Sequence, residues 1–177
     1  LNRDIQFFTA SFGQGITATP LQLANAYSAI ANGGTLMKPQ IVDKVIYPDG
    51  SEENMEPEEI RRVVKDETAS QMREMLESVV VNGHGKRAAI PGYRVGGKTG
   101  TAQVAKSGEK GYEDNITVGS FVGIAPIESP QFTVVVKITN PKDVIWAESS
   151  AAPAFQEVMK FLLNYYNVEP TETVENN

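Results

Sequence analysis

The sequence predicts an α+β fold, an antiparallel sheet with helices packed on its faces. Three extended runs, 95–104, 118–125 and 132–138, follow one another with no helical segment between them. A helix-period stripe comes only after the third run, and two more helical segments lie before the first. Strands and helices are therefore grouped rather than alternating, which argues against a doubly wound sheet.

The first helix opens at Thr19-Pro20-Leu21-Gln22. A threonine cap, a proline in the first turn and a Gln three residues after the cap form a capping box. Leu23, Tyr27, Ile30 and Ala31 repeat at helical spacing, and Gly33-Gly34 stops the run. Residues 35–47 then read as extended, with β-branched Ile41, Val42, Val45 and Ile46, and Pro48-Asp49-Gly50 has turn chemistry. The acidic stretch 52–59 reads as a solvated loop and 60–64 as a short strand. A second helix fits 66–82, with Ala69, Met72, Leu76, Val79 and Val80 on one face, acidic residues at its start and Gly83 at its end.

The stretch 83–111 is rich in Gly and Lys and interrupts this patterning. Residues 118–125 and 132–138 suit a hairpin joined by 126–130. The last helix is expected from near Pro153, burying Phe155, Val158, Met159, Leu162 and Tyr166. Residues 1–167 thus read as one domain portion, and the polar, acidic residues 168–177 as a flexible tail.

Composition narrows the function. With 177 residues, 41% hydrophobic and 21% charged, the chain has the balance of a globular domain. Its net charge of −6 and lack of a basic stripe exclude a nucleic-acid surface. The longest apolar runs are far too short to span a bilayer. The chain begins at Leu1 without the charged and apolar regions of a signal peptide, so a truncated or processed product is expected, with any anchor upstream. With no cysteine, disulfides, thiolate catalysis and Cys-type zinc sites are all excluded.

The segment that carries chemistry is Gly96-Gly97-Lys98-Thr99-Gly100-Thr101-Ala102. Residues 92–99 satisfy the phosphate-loop pattern to the letter. That motif works only between a hydrophobic strand and a helix N-terminus, which presents N–H groups to phosphate. Here Pro91 spoils the preceding strand, and Gly100, Gly108 and Gly111 spoil the following helix. The alternative puts Lys98 to Thr101 on a strand beside a cleft. Glycines at 96, 97 and 100 would let another backbone approach, so that a peptide could pair along the strand's edge. Lys98 would supply positive charge, the hydroxyls of Thr99 and Thr101 could donate to a carboxylate, and a free strand N–H could face an oxyanion. On spacing alone, a glycine-rich hairpin with one solvated lysine fits equally well.

The wider sequence adds to this. Lys98-Thr99-Gly100-Thr101-Ala102-Gln103 resembles the third signature of penicillin-binding proteins, in the form used by class B transpeptidases. Phe12-Gly13-Gln14-Gly15, Thr19-Pro20-Leu21-Gln22-Leu23-Ala24 and Ala29-Ile30-Ala31-Asn32-Gly33-Gly34 are similar to that family's helix before the signature. Phe121-Val122-Gly123-Ile124-Ala125-Pro126 resembles the strand after it. The similarity runs over about 12–166.

The resemblance implies a partial penicillin-binding/β-lactamase-like transpeptidase fold and a serine that attacks the penultimate D-Ala carbonyl of a peptidoglycan stem peptide. It implies β-lactams as mimics of that peptide, and neither cofactor nor metal. Lys98 would set a positive field near the serine. Lys98, Thr99, Gly100 and Thr101 would hold the substrate, and the Thr101 backbone N–H would form half of the oxyanion hole. The intact protein would lie on the extracytoplasmic face of the bacterial cytoplasmic membrane, attached only through an upstream anchor. A β-lactam sensor or non-catalytic penicillin-binding module of the same fold is the alternative.

One departure is large. The family's Ser-x-x-Lys and Ser-x-Asn motifs come before the Gly13-Gln14-Gly15 region, and this sequence has neither there. Ser107-Gly108-Glu109-Lys110 spells Ser-x-x-Lys but lies among glycines that oppose a helix, so it reads as loop. The chain alone is expected to be inactive. It is also expected to expose apolar surface that its missing upstream half would cover. Of the smaller signals, His84 reads as a loop residue and Trp146 as core or groove lining.

Overall fold

The computed structural model describes residues 4–171. Helices α1 (Asp4–Ala10) and α2 (Pro20–Ala31) come first. Four short strands follow: β1 (Thr35–Met37), β2 (Lys44–Ile46), β3 (Glu52–Asn54) and β4 (Glu59–Arg62). Helix α3 (Asp66–Asn82) leads through a 3-10 turn at Lys86–Ala88 to the long strands β5 (Gly96–Ala105), β6 (Tyr112–Ala125) and β7 (Phe132–Thr139). A second 3-10 turn, Ala147–Ser149, precedes α4 (Ala151–Tyr165).

The main sheet is antiparallel in the order β5-β6-β7, so β5 and β7 are its edges. Residues facing each other across the ladder share a side of the sheet. Gly97 opposes Gly123, Thr99 opposes Phe121, and Thr101 opposes Gly119. This side faces α4, where fully buried Phe121 meets fully buried Phe155 with ring centroids 4.7 Å apart. Val80, Val95, Met159 and Leu163 complete that core. The other side carries Ile124, which packs with Leu76 of α3 and Ile127, backed by Tyr27 and Ile30 of α2. Burial pushes the Tyr27 phenol above its ordinary value. The predicted α+β arrangement is what forms, with helices on both faces of an antiparallel sheet.

Local chemistry accounts for most boundaries. The Thr19 hydroxyl accepts from the Gln22 N–H at 3.1 Å while the Gln22 side chain accepts from the Thr19 N–H at 2.8 Å, the reciprocal capping box. At the other end Gly34 has φ 99° and lies against the Val64 backbone, where a Cβ would come within 2.2 Å of a carbonyl. In the turn after β2, two hydrogen bonds from Ser51 to Asp49 hold that carboxyl below its ordinary range.

Four expectations need correction. The acidic stretch is exposed, as expected, but only 55–58 of it is loop: Glu52, Glu53 and Asn54 pair with Ile46, Val45 and Lys44. Lys44 and Tyr47 reach the Glu52 and Glu53 carboxylates at 3.0 and 2.5 Å, and these cross-strand partners allow a charged run to pair. Strand β6 begins at Tyr112 rather than near 118, because its N-terminal half continues the hairpin past a register shift between Gln103 and Ala105. On α4 the buried row is Phe155, Met159 and Leu163, while Val158 and Tyr166 are exposed; Met72 of α3 is likewise outside its buried stripe. Phe155 and Met159 are buried as expected, and Leu163, four residues on, takes the place expected of Leu162.

Finally, the start of the expected flexible tail is tied down. Val168 packs on the core and donates to the Leu163 carbonyl, Tyr93 donates to the Val168 carbonyl at 2.7 Å, and Thr171 donates to the Gly92 carbonyl. Residues 172–177 lie outside those described. Among the described residues no helix is long and apolar enough to cross a membrane.

Gly97 is the sheet position least able to take a side chain. A Cβ there would lie 2.4 Å from the Phe121 ring and 2.7 Å from the Val122 carbonyl. Gly97→Ala should cost about 1–3 kcal/mol in urea denaturation, the usual cost of overpacking. An unchanged midpoint would show that β5 and β6 part freely there.

Candidate functional site

Among the described residues strand β5 pairs only with β6, which leaves its second margin open. Lys98 opposes Val122 and lies on the α3 side of the sheet, whereas Thr99 and Thr101 lie on the α4 side. The lysine and the two threonines therefore flank one free strand edge from opposite faces. The Lys98 Nζ is solvent-exposed and donates to the Thr99 carbonyl at 2.9 Å and to its Oγ1 at 3.4 Å. Among the described residues no carboxylate takes that ammonium.

The threonines differ in their attachments. Thr101 Oγ1 accepts from the Ala147 N–H at 3.1 Å, which ties the 3-10 turn before α4 to the strand and leaves its own proton to donate elsewhere. Thr117 Oγ1 donates to the Ile145 carbonyl at 3.0 Å and secures the same segment two residues earlier. Ala147 is fully buried and packs over Gly119, where a Cβ would meet Ser150 Oγ at 2.8 Å. These contacts build one wall of a cleft of about 490 Å³, lined by His84, Lys98, Thr99, Thr101, Trp146 and Glu148. A second cleft of about 350 Å³ shares Thr101 and Trp146 and continues past Gln14, Gln103 and Glu113. The strand edge thus lies along a groove.

The sequence-derived site residues Lys98, Thr99 and Thr101 come together on this groove. Gly100 is on the same strand, between the two threonines. The space a Cβ would take at Gly100 is filled by Ser120 Oγ, at Gly96 by Ile127 and the α3 backbone, and at Gly97 by Phe121. On the faces of the sheet these glycines admit the protein's own neighbours. Ser107 sits in the β5–β6 loop, where Lys106 donates to the Gly111 carbonyl at 3.1 Å, so its Ser-x-x-Lys is on no helix. Lys98 and Thr99 lie inside a strand, which removes the phosphate-loop alternative.

Sequence reasoning missed two wall residues. His84 is in the loop after α3 and Glu148 is 64 positions later in the 3-10 turn, yet His84 Nδ1 lies 3.1 Å from Glu148 Oε2 across the cleft wall. Nothing local to either residue signals that pairing. Trp146 is groove lining, 66% exposed. Among the described residues no cluster of His, Asp and Glu is placed to hold a metal ion.

Lys-Thr-Gly is a motif of class A β-lactamases and penicillin-binding proteins, and here it stands on the open margin of an antiparallel sheet with helices on both faces. Comparison with known proteins makes the assignment specific. A sequence profile of the penicillin binding protein transpeptidase domain matches residues 1–160, and the chain belongs to that family. It is 42% identical over 165 residues to stage V sporulation protein D of Bacillus subtilis, covering 92% of this chain and 25% of the relative. It is 37% identical over 172 residues to penicillin-binding protein PbpB of Mycobacterium tuberculosis, again 92% of this chain and 25% of the relative. The chain therefore spans about a quarter of the length of these relatives. Among solved structures, penicillin-binding protein 3 of Mycobacterium tuberculosis in complex with aztreonam superposes with a TM-score of 0.83 at 34% identity, over 95% of this chain and 40% of that one. The apo transpeptidase domain of penicillin-binding protein 3 from Burkholderia pseudomallei gives 0.78 at 35% identity, over 97% and 49%.

The bond from Ala147 to Thr101 is the site's main internal fastening. Thr101→Val would leave the Ala147 N–H buried without a partner, so it should lose about 1–3 kcal/mol in urea denaturation and alter Trp146 fluorescence. Thr101→Ser should behave as the parent does. Equal stability of the two variants would show that the bond does not fix the wall.

Proposed function

We propose that this chain is the substrate-holding part of a peptidoglycan D,D-transpeptidase, a serine acyltransferase that cross-links cell wall. The observation that carries the proposal is the placement of Lys98, Thr99 and Thr101 around one open strand edge beside a cleft, in a chain of the transpeptidase family. A stem peptide ending in D-Ala-D-Ala, or a β-lactam in its place, extends along β5. Its terminal carboxylate takes hydrogen bonds from the Thr99 and Thr101 hydroxyls, each stronger for being made to a charged acceptor.

Lys98 serves a different step. A serine contributed from outside residues 1–177 attacks the penultimate carbonyl, and the Lys98 ammonium stabilises the negative charge that develops beside it. The Thr99 carbonyl accepts from Lys98, which supports an outward direction for that residue's backbone groups. Residues two apart on a strand point the same way, so the Thr101 N–H would face the same margin and supply half of the oxyanion hole. D-Ala leaves, and an amine from a neighbouring stem resolves the acyl-enzyme.

On this proposal the chain is inactive alone. Two observations support it: the only Ser-x-x-Lys is in the Ser107 loop, and Ile5, Phe7, Phe8, Phe12 and Ile16 are all more than half exposed. Such a row of apolar side chains suits coverage by the rest of the domain. The whole protein would work on the extracytoplasmic face of the bacterial cytoplasmic membrane, held there by an anchor outside this chain.

Fluorescent penicillin tests the proposal. The 177-residue chain should stay unlabelled, while a chain extended upstream should acylate at a serine outside it. In that longer chain Lys98→Ala should slow acylation by about 10²-fold or more, the scale for loss of one charge-stabilising group. Labelling at Ser107, or an unimpaired Lys98→Ala variant, would overturn the assignment.

A further inference from the structure

The hairpin of β2 and β3 offers pairing that the described residues do not complete. Every residue from 38 to 63 is exposed, and β2 packs substantially only on β3. A two-stranded hairpin needs a third strand or a packed helix before it is stable independently in water. This one is held out by its stem, where β1 pairs with β4 and Arg62 donates to the Gly33 carbonyl at 2.7 Å. Apolar side chains reach solvent on both of its faces. Val45 and Met55 lie on one, and Ile46, 61% exposed, lies on the other.

Its two margins differ in charge. The Tyr47 N–H donates to the Ser51 carbonyl at 2.9 Å and the Met55 N–H to the Asp43 carbonyl at 2.8 Å, so these odd-numbered residues turn their N–H groups into the hairpin. Alternation along each strand then turns the N–H groups of Glu52 and Asn54 outward from β3, and those of Lys44 and Ile46 outward from β2. Between 43 and 56, Asp43, Asp49, Glu52, Glu53 and Glu56 stand against a single lysine, Lys44. That lysine is on β2, where a cation is a usual guard against strand addition. The β3 margin carries carboxylates instead. Two copies of it would repel each other, whereas a basic strand would be drawn in.

We infer that the outer edge of β3 is a docking site for an extended, basic segment of a partner protein, which adds to the hairpin as a third strand. Carbonyls of the segment take the N–H groups of Glu52 and Asn54, and its Lys or Arg side chains stand beside the Glu52 and Glu53 carboxylates. Its apolar residues extend the face formed by Val45 and Met55. The site is separate from the Lys98 groove and does not depend on the reaction proposed there.

Amide hydrogen exchange on the 177-residue chain tests this with the peptide acetyl-Lys-Val-Lys-Val-Lys-Val-Lys-amide. Excess peptide should slow exchange at Glu52 and Asn54 by about tenfold, on the scale of two or three cross-strand pairs, and leave Lys44 and Ile46 as they were. The same peptide with proline for valine keeps its charge but cannot join a ladder, and the version with Glu for Lys keeps the ladder but has the wrong charge. Neither should protect. The double variant Glu52→Gln, Glu53→Gln should weaken protection about fivefold, whereas Glu157→Gln on α4 should preserve it. An unchanged urea midpoint shows that both variants still fold. Protection at Lys44 and Ile46 instead, equal protection by the proline peptide, or none by any peptide overturns the site. So does protection that grows with chain concentration in the absence of peptide, since the occupant would then be a second copy.

Discussion

The contact between Phe121 and Phe155 fixes the rest of the structure. Burying both rings fully contributes on the order of 1.5–3 kcal/mol each and brings α4 flat onto the sheet. That approach is possible only because the neighbouring strand positions, Gly97 and Gly123, have no side chains. Once α4 is seated, the 3-10 turn ahead of it must cross above Gly119, and Ala147 falls within reach of Thr101. The groove is thus a by-product of helix packing.

The same constraint explains why the site has two unlike walls. On the strand side, chain direction and pleat put Lys98 and the threonines on alternate faces, so a single edge carries both a cation and hydroxyls. On the far side the turn before α4 and the loop after α3 meet at the contact between Glu148 and His84. One wall is specified by consecutive residues. The other depends on two segments far apart in the chain.

That difference decides what was legible from sequence. The Thr19 capping box and the 66–82 helix were readable because each depends on residues within a turn or two. Lys98 to Thr101 were readable because the signature is contiguous and the strand carries it intact. The pairing of β2 with β3 was not, since Glu52 looks like a loop residue until Lys44 is placed opposite it. Nor was the His84–Glu148 wall, which exists only after the α3 loop and the α4 approach have been brought together. The glycines were half legible: their need for space was evident, but what fills the space is Phe121, Ser120 and α3.

The small hairpin of β2 and β3 has a different standing from everything around it. Its two strands pack substantially only on each other, and every residue in them is exposed. It projects from a stem formed by β1 and β4, which joins the body where Val63 donates to the Gly34 carbonyl and Arg62 to that of Gly33. Growth or trimming of that projection would disturb neither core nor groove, so it is where related chains have most latitude to diverge in length.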